Sequence, residues 1–195
     1  MYFIESIDQT LFRFINYSLS NPVFDVFMPF ITEQNVWGIP IALAALAGII
    51  FGDKKTKFIM LGGILAVGLG DYISSGLMKP FFGQYRPCVE LSDLVLRINC
   101  GGKLAFPSGH ATGTMIMAVW FGYHYKKWLP YFLTFALIIS FSRVYVGVHW
   151  TSDVLGGMLL GLFIAKSFIS LWDSYITPRL DSIPSGSYKY ENKVS

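Results

Sequence analysis

Three stretches of this 195-residue sequence carry side chains able to do chemistry together. The first runs from Lys79 to Arg86-Pro87, the second is Pro107-Ser108-Gly109-His110, and the third extends from Ser142-Arg143 to His149 and Asp153. Each borders a long apolar segment, and an ionisable residue at bilayer depth is costly enough to mark function by default. Lys79, Arg86 and Arg143 supply three cations, which suit a phosphoryl group. Its charge spreads over the equatorial oxygens in the transition state, and fixed donors stabilise it without reorganising. The planar arginine fork binds two phosphate oxygens at once. Ser108 and the amides of Gly109 and His110 fall where a helix should begin, a position that favours an anion, and glycine lets the backbone approach it closely.

His149 and Asp153 are four positions apart, hence on one face of a helix that begins near His149. A carboxylate on one imidazole nitrogen fixes the tautomer and makes the other nitrogen the better nucleophile. His110, on a separate stretch, is then free to protonate a leaving oxygen. The division of labour that follows is attack by His149, orientation by Asp153 and acid from His110. Two histidines and an aspartate are also possible zinc ligands. Three cations aimed at the same spot would repel such an ion and already supply its charge, so no metal and no other cofactor is expected.

The elements that must bring these stretches together are membrane helices. Hydrophobic residues make up 53% of the chain and charged residues 14%, too few to cover a water-facing globule, and the apolar blocks are long enough to cross a bilayer. The pattern predicts an all-α, polytopic bundle of six spans, near 22–34 (the weakest), 36–52, 57–80, 107–125, 128–147 and 152–172. Residues 1–175 form a single domain on this reading, and a polar, disordered tail follows over 176–195. No cleavable leader is evident, and the charge of +3 has no dense basic run that would suit a nucleic acid. Over 1–20, Ile4, Ile7, Leu11, Phe14 and Ile15 alternate with Glu5, Asp8, Gln9, Arg13 and Asn16 at helical spacing. That describes an amphipathic helix lying in the membrane interface or packed on the bundle.

Lys54, Lys55 and Lys57 in one short loop, and Lys126 and Lys127 in another, share a face that is cytoplasmic by the positive-inside rule. The long connection 81–106 and all three chemical stretches then lie at the opposite, extracytoplasmic surface. Cys88 and Cys100, the chain's two cysteines, sit in that connection and are a candidate disulfide on an oxidising face. Gly109/Gly113 and Gly157/Gly161 are small-residue pairs suited to close helix packing. Trp37, Trp128, Trp150 and Trp172 fall near span ends as an aromatic belt does. Asp71 lies within a span, two turns before Lys79, and suits pairing with a cation or steadying a polar cavity. His124 belongs near the basic face, and Lys166 is placed to reach the cytoplasmic surface.

With these residues in hand, the sequence resembles the type 2 phosphatidic acid phosphatase family, whose membrane members share a core with vanadium haloperoxidases. The family pattern K-x6-RP, PSGH and SR-x5-H-x3-D is met at every fixed position between Lys79 and Asp153. The resemblance implies a phosphohistidine on His149, oriented by Asp153, with His110 as acid and then base. It also implies phosphate binding by Lys79, Arg86, Ser108, Gly109 and Arg143. Gln84 stands where relatives often carry a further arginine, which alters contacts to a second phosphate or headgroup. By analogy the expected activity is a lipid phosphatase at the outer face of a bacterial cytoplasmic membrane, with undecaprenyl pyrophosphate the favoured substrate. Phosphatidylglycerophosphate and lipid A are alternatives with the same chemistry. From a different class, a membrane transporter or binding protein that kept the site without turnover would show the same residues. The expected partners are the lipid substrate and the bilayer; oligomeric state is not legible.

Overall fold

Residues 2–178 of the computed structural model are described below; most of the polar tail lies outside them. The described residues form helices and no strand. In chain order these are α1 (Tyr2–Arg13), which continues as a π-helical turn over Phe14–Ser18, α2 (Pro22–Thr32) and α3 (Gln34–Phe51). Then come α4 (Lys54–Asp71), running on through a π-helical segment Tyr72–Met78 into the short α5 (Lys79–Phe82), and α6 (Pro87–Glu90). The chain closes with α7 (Gly109–His124), α8 (Leu129–Tyr145) and α9 (Thr151–Tyr175). The starts follow from local chemistry: Asn21 accepts from the amides of Val23 and Phe24 ahead of Pro22, and Asp53 accepts from Thr56, as N-caps do.

Among the described residues, three continuous helical stretches are long and apolar enough to cross a membrane: Lys54–Phe82, Lys126–Tyr145 and Thr151–Tyr175. The pair α2 and α3, bent by 44°, qualifies as a fourth if taken as one broken crossing. The structure therefore supports at least three crossings where hydropathy suggested six. Segment 22–34 is an 11-residue helix, about 16 Å long, which is half the thickness of a hydrocarbon core.

The helix at the centre of the bundle is α7, which packs against α4, α8 and α9. Glycine makes the close approach to α9. A Cβ on Gly157 would stand 2.6 Å from the Ser108 carbonyl oxygen, and one on Gly161 would stand 2.5 Å from that of Thr112. The Gly157/Gly161 pair is thus occupied within the chain. On the α4 side, Trp120 fills a notch over Gly62 and Gly63 and donates its indole N–H to the Ile59 carbonyl at 2.9 Å. Trp172 stacks edge-on against Trp120, with centroids 5.3 Å apart.

The N-terminal helix lies on the bundle, against α9. Its inward stripe is Asp8, Phe12 and Asn16, while Ile7, Leu11 and Phe14 are exposed. Trp150, expected at a membrane boundary, is instead buried against Phe12.

The α7–α9 contact yields a stability prediction. Gly161→Ala is expected to destabilise the protein by about 1–3 kcal/mol, because a methyl group must be forced against a backbone carbonyl. Gly68→Ala, where a Cβ meets nothing within 4 Å, should not destabilise it. Thermal midpoints of the two variants in detergent check this.

Candidate active site

The third stretch folds as a helix end, a tight turn and a helix start. Leaving α8, the chain turns through Gly147 at φ 90°, a conformation glycine adopts without strain, and presents His149 just before α9. Asp153 sits in the first turn of α9, where its Oδ2 accepts from the Trp150 amide at 2.8 Å and lies 3.1 Å from His149 Nδ1. Both side chains are almost wholly buried. One carboxylate therefore caps the helix and fixes the ring, leaving His149 Nε2 as the free nitrogen of the imidazole.

The second stretch is tied to the third by its backbone: the Ser108 amide donates to the Asp153 carbonyl at 2.9 Å, and within α7 the Thr112 hydroxyl donates to the Ser108 carbonyl at 3.0 Å. Gly109 then opens α7, with His110 one residue on. The first stretch is held by short-range pairing across the long connection. The Arg86 amide donates to Lys103 and the Ala105 amide to Gln84, and Tyr85 bridges Leu104. The Trp150 indole donates to the Tyr85 carbonyl at 2.9 Å, joining this loop to the His149 turn. Cys88 and Cys100 are joined by a disulfide.

These elements surround one cavity of about 490 Å³, lined by Lys79, Arg86, Gly109, His110, Arg143 and His149. Of the site residues expected from sequence, these six face a common space. Ser108 and Asp153 stand behind them, fully buried. The guanidinium of Arg86 donates from Nη1 to the Cys100 carbonyl at 2.7 Å and from Nε to the Leu104 carbonyl at 3.1 Å. Arg143 donates from Nη1 to the Thr32 hydroxyl at 2.9 Å. The Cys100 and Leu104 carbonyls and the Thr32 hydroxyl are neutral dipoles, so these bonds hold the guanidinium groups in place without themselves cancelling charge. Ser108 Oγ and Arg143 Nε are buried without a protein partner. Buried polar atoms are ordinarily satisfied, and orphans beside a cationic cavity suit an anion's oxygens.

Several residues at the site escaped the sequence reading. Thr32 supports Arg143 and lines the cavity beside it; Glu33, Trp37 and Ile41 extend the same wall. The only signal was the polarity of Thr32-Glu33 inside a weak apolar segment. Asp71 does reach the cavity, where Ser75 donates to its Oδ1 at 3.0 Å. A Cβ on Gly109 would stand 3.4 Å from Ser75 Oγ, ordinary contact. Away from the polar end the walls are apolar, including Val67, Met117, Phe135 and Ile139. Such a space can take an anionic head at one end and a hydrocarbon chain along the other.

Comparison with known proteins agrees with this chemistry. A model of the PAP2 superfamily matches residues 57–176. The lipid A 4'-phosphatase of Porphyromonas gingivalis is 30% identical over 203 residues, covering 96% of this chain and 84% of that protein. An undecaprenyl-diphosphatase of Sulfolobus acidocaldarius is 33% identical over 168 residues, covering 83% and 75% respectively. The crystal structure of Aquifex aeolicus LpxE superposes with a TM-score of 0.69 at 26% identity, over 84% of this chain and 95% of that one.

Two outcomes are expected from the supports of the arginines. Thr32→Val keeps the shape and removes the acceptor for Arg143, and a hydrogen bond to a charged group of this kind is worth about 1.5–3 kcal/mol. We expect kcat/KM for a lipid phosphate to fall about tenfold or more. Reduction of the disulfide frees the Cys100 carbonyl that holds Arg86. We expect KM to rise in dithiothreitol and the effect to vanish in the Cys88→Ser/Cys100→Ser variant, which already has the higher KM.

Proposed function

Because this chain belongs to the PAP2 superfamily, we propose that it is a membrane phosphatase that removes phosphate from a lipid phosphate or pyrophosphate through a phosphohistidine on His149. The observation that carries this reading is the buried His149–Asp153 pair at 3.1 Å, facing a cavity that Lys79, Arg86 and Arg143 also line.

The geometry supports the following sequence. The phosphoryl group occupies the cationic end, its oxygens met by Arg86, Arg143 and Lys79 and by the unpartnered Ser108 hydroxyl. His149 Nε2 attacks phosphorus in line while Asp153 holds the proton on Nδ1. As the phosphorus–oxygen bond to the leaving group breaks, His110 gives that oxygen a proton. The neutral His110 then takes a proton from water, which attacks the phosphohistidine. Phosphate leaves, and both rings return to their starting states. Fixed cations do most of the stabilisation, as expected where the transition state is held by charge and position.

For the substrate we favour undecaprenyl pyrophosphate: two adjacent phosphates match three cations, and a prenyl chain matches the apolar walls. The lipid A reading has an observation of its own, the similarity to a lipid A 4'-phosphatase along 96% of this chain. We place the enzyme in a bacterial cytoplasmic membrane. Lys54, Lys55, Lys57, Lys126 and Lys127 mark the cytoplasmic side, and the cavity opens at the other end of the bundle. On this reading α2 and α3 make one bent crossing and α7 crosses at the bundle centre, giving five crossings, with α1 at the outer surface.

The deciding experiment is phosphate release by purified protein from undecaprenyl pyrophosphate, phosphatidylglycerophosphate and lipid A in detergent. We expect one lipid to be turned over, with His149→Ala lowering kcat by roughly 10,000-fold or more and EDTA leaving the rate unchanged. Turnover that survives in His149→Ala would remove the assigned nucleophile. Inactivation by EDTA with rescue by zinc would restore a metal mechanism. Binding of a lipid without release of phosphate from any of the three would favour a non-catalytic membrane protein.

A further inference from the structure

The first turn of α9 carries Asp153, and its exposed amides need acceptors as those of any helix start do. Asp153 itself takes the Trp150 amide. The Ser152 amide is taken from outside the helix, by Asp8 of α1. Asp8 Oδ1 accepts from Ser152 N at 2.9 Å, and Oδ2 accepts from the Ser152 hydroxyl. The two carboxylates thus cap consecutive parts of one turn, and a negative charge is favourable at that end of a helix.

Asp8 is one of three residues spaced by four along the inner stripe of the N-terminal segment, and each grips the same part of the chain. Phe12 stacks on Trp150 with ring centroids 5.1 Å apart, and both rings are buried. Asn16 donates to the Tyr145 carbonyl at 2.8 Å and to the Val95 carbonyl at 2.9 Å. The grip therefore runs from Tyr145 to Ser152, with His149 between its ends. On the outer side, Arg13 pairs with Asp93 of the long connection at 2.8 Å. This segment lies before the region that the superfamily model covers, so the reaction core of that region does not include it.

We propose that Asp8 is a positioning residue for the reaction, holding the Ser152 turn so that Asp153 stays in register with His149. The inference rests on the reading of His149 as nucleophile. Asp8 touches neither the substrate nor the reacting nitrogen. Its loss lets the first turn of α9 rotate or fray, and displacement of an aligned group by about 1 Å costs up to about 100-fold in rate.

The experiment compares four variants of the full chain in detergent, using whichever of the three panel lipids the unaltered protein turns over fastest. Asp8→Ala is expected to lower kcat about tenfold or more, with KM and competitive inhibition by inorganic phosphate unchanged within about twofold. Asp8→Asn keeps an acceptor for the Ser152 amide and should recover most of the lost kcat. Arg13→Ala loosens the same helix without touching α9 and should keep kcat even where its thermal midpoint falls. His149→Ala reports separately on the nucleophile. Unaltered kcat in Asp8→Ala beside an inactive His149→Ala overturns this inference alone, whereas an active His149→Ala overturns the nucleophile reading. A loss shared by Asp8→Ala and Arg13→Ala in proportion to their thermal midpoints, or a change confined to KM, reduces Asp8 to a packing role. Should Asp8→Ala not accumulate, Ser152→Ala removes one of the two bonds from the α9 side; lowered kcat at constant KM supports the proposal, and unaltered kcat overturns it.

Discussion

Arg86, Arg143 and Lys79 are gathered around one cavity, and like charges brought out of water repel each other while losing hydration. Pairing each with a carboxylate would relieve the repulsion and also remove the charge that an anionic substrate needs. The structure resolves this with dipoles: Arg86 is held by the Cys100 and Leu104 carbonyls, and Arg143 by the Thr32 hydroxyl. Glu33 and Asp71 line the cavity as well, while farther out Asp25 pairs with Arg97 at 2.6 Å and Asp93 with Arg13 at 2.8 Å. Those pairs fasten the long connection to the N-terminal helices.

Dipoles hold a charge only if their own backbone is fixed. Here the fixing is redundant. The disulfide and the Tyr85–Leu104 bridge stiffen the connection, the Trp150 indole ties it to the His149 turn, and the Ser108 amide ties α7 to α9. Glycine at positions 157 and 161 lets those two helices meet backbone to backbone. A site built this way is set before substrate arrives, which is where electrostatic stabilisation gains its advantage over water.

The residues that touch the cavity's polar end were legible because the chemistry fixes both their types and their spacing. His149 and Asp153 do meet at four-residue spacing, but across a helix start rather than along one helix face, because α9 begins only at Thr151 and His149 precedes its cap. The supports were harder to read, and for a physical reason. In α1 the apolar positions Ile7, Leu11 and Phe14 suggested the face that seeks an apolar surface, with Asp8 and Asn16 on the polar side. In a membrane protein, helical periodicity does not say which face meets the protein. The stripe that turned inward is mixed, Phe12 between Asp8 and Asn16 with Ile15 packed beside it, and its two polar members meet backbone groups of Ser152, Val95 and Tyr145, while Ile7, Leu11 and Phe14 are exposed. Asp71 is a similar case. Two regular turns separate it from Lys79 in sequence, and the π-helical segment Tyr72–Met78 between them, which no sequence pattern announced, resets how the two side chains are disposed about the cavity. Thr32 and Glu33 weakened a predicted span for the same reason that they serve the site.

The division between shared and private parts of the chain bears on specificity. The three chemical stretches fall between Lys79 and Asp153, inside the matched region 57–176. A wall of the same cavity, from Ile31 to Ile41, lies outside it. Phosphorus, the attacking imidazole and the cations make the same demands whatever lipid is attached, so the reaction constrains the first group of residues tightly. On the proposed function the lipid beyond the scissile phosphate would be met by the walls, and a wall contributed by α2 and α3 can change its side chains without moving His149. Relatives with different named substrates are compatible with one reaction core on that account. Thr32 is the point where the two parts join, because its hydroxyl holds Arg143 while its neighbours line the space the lipid must fill.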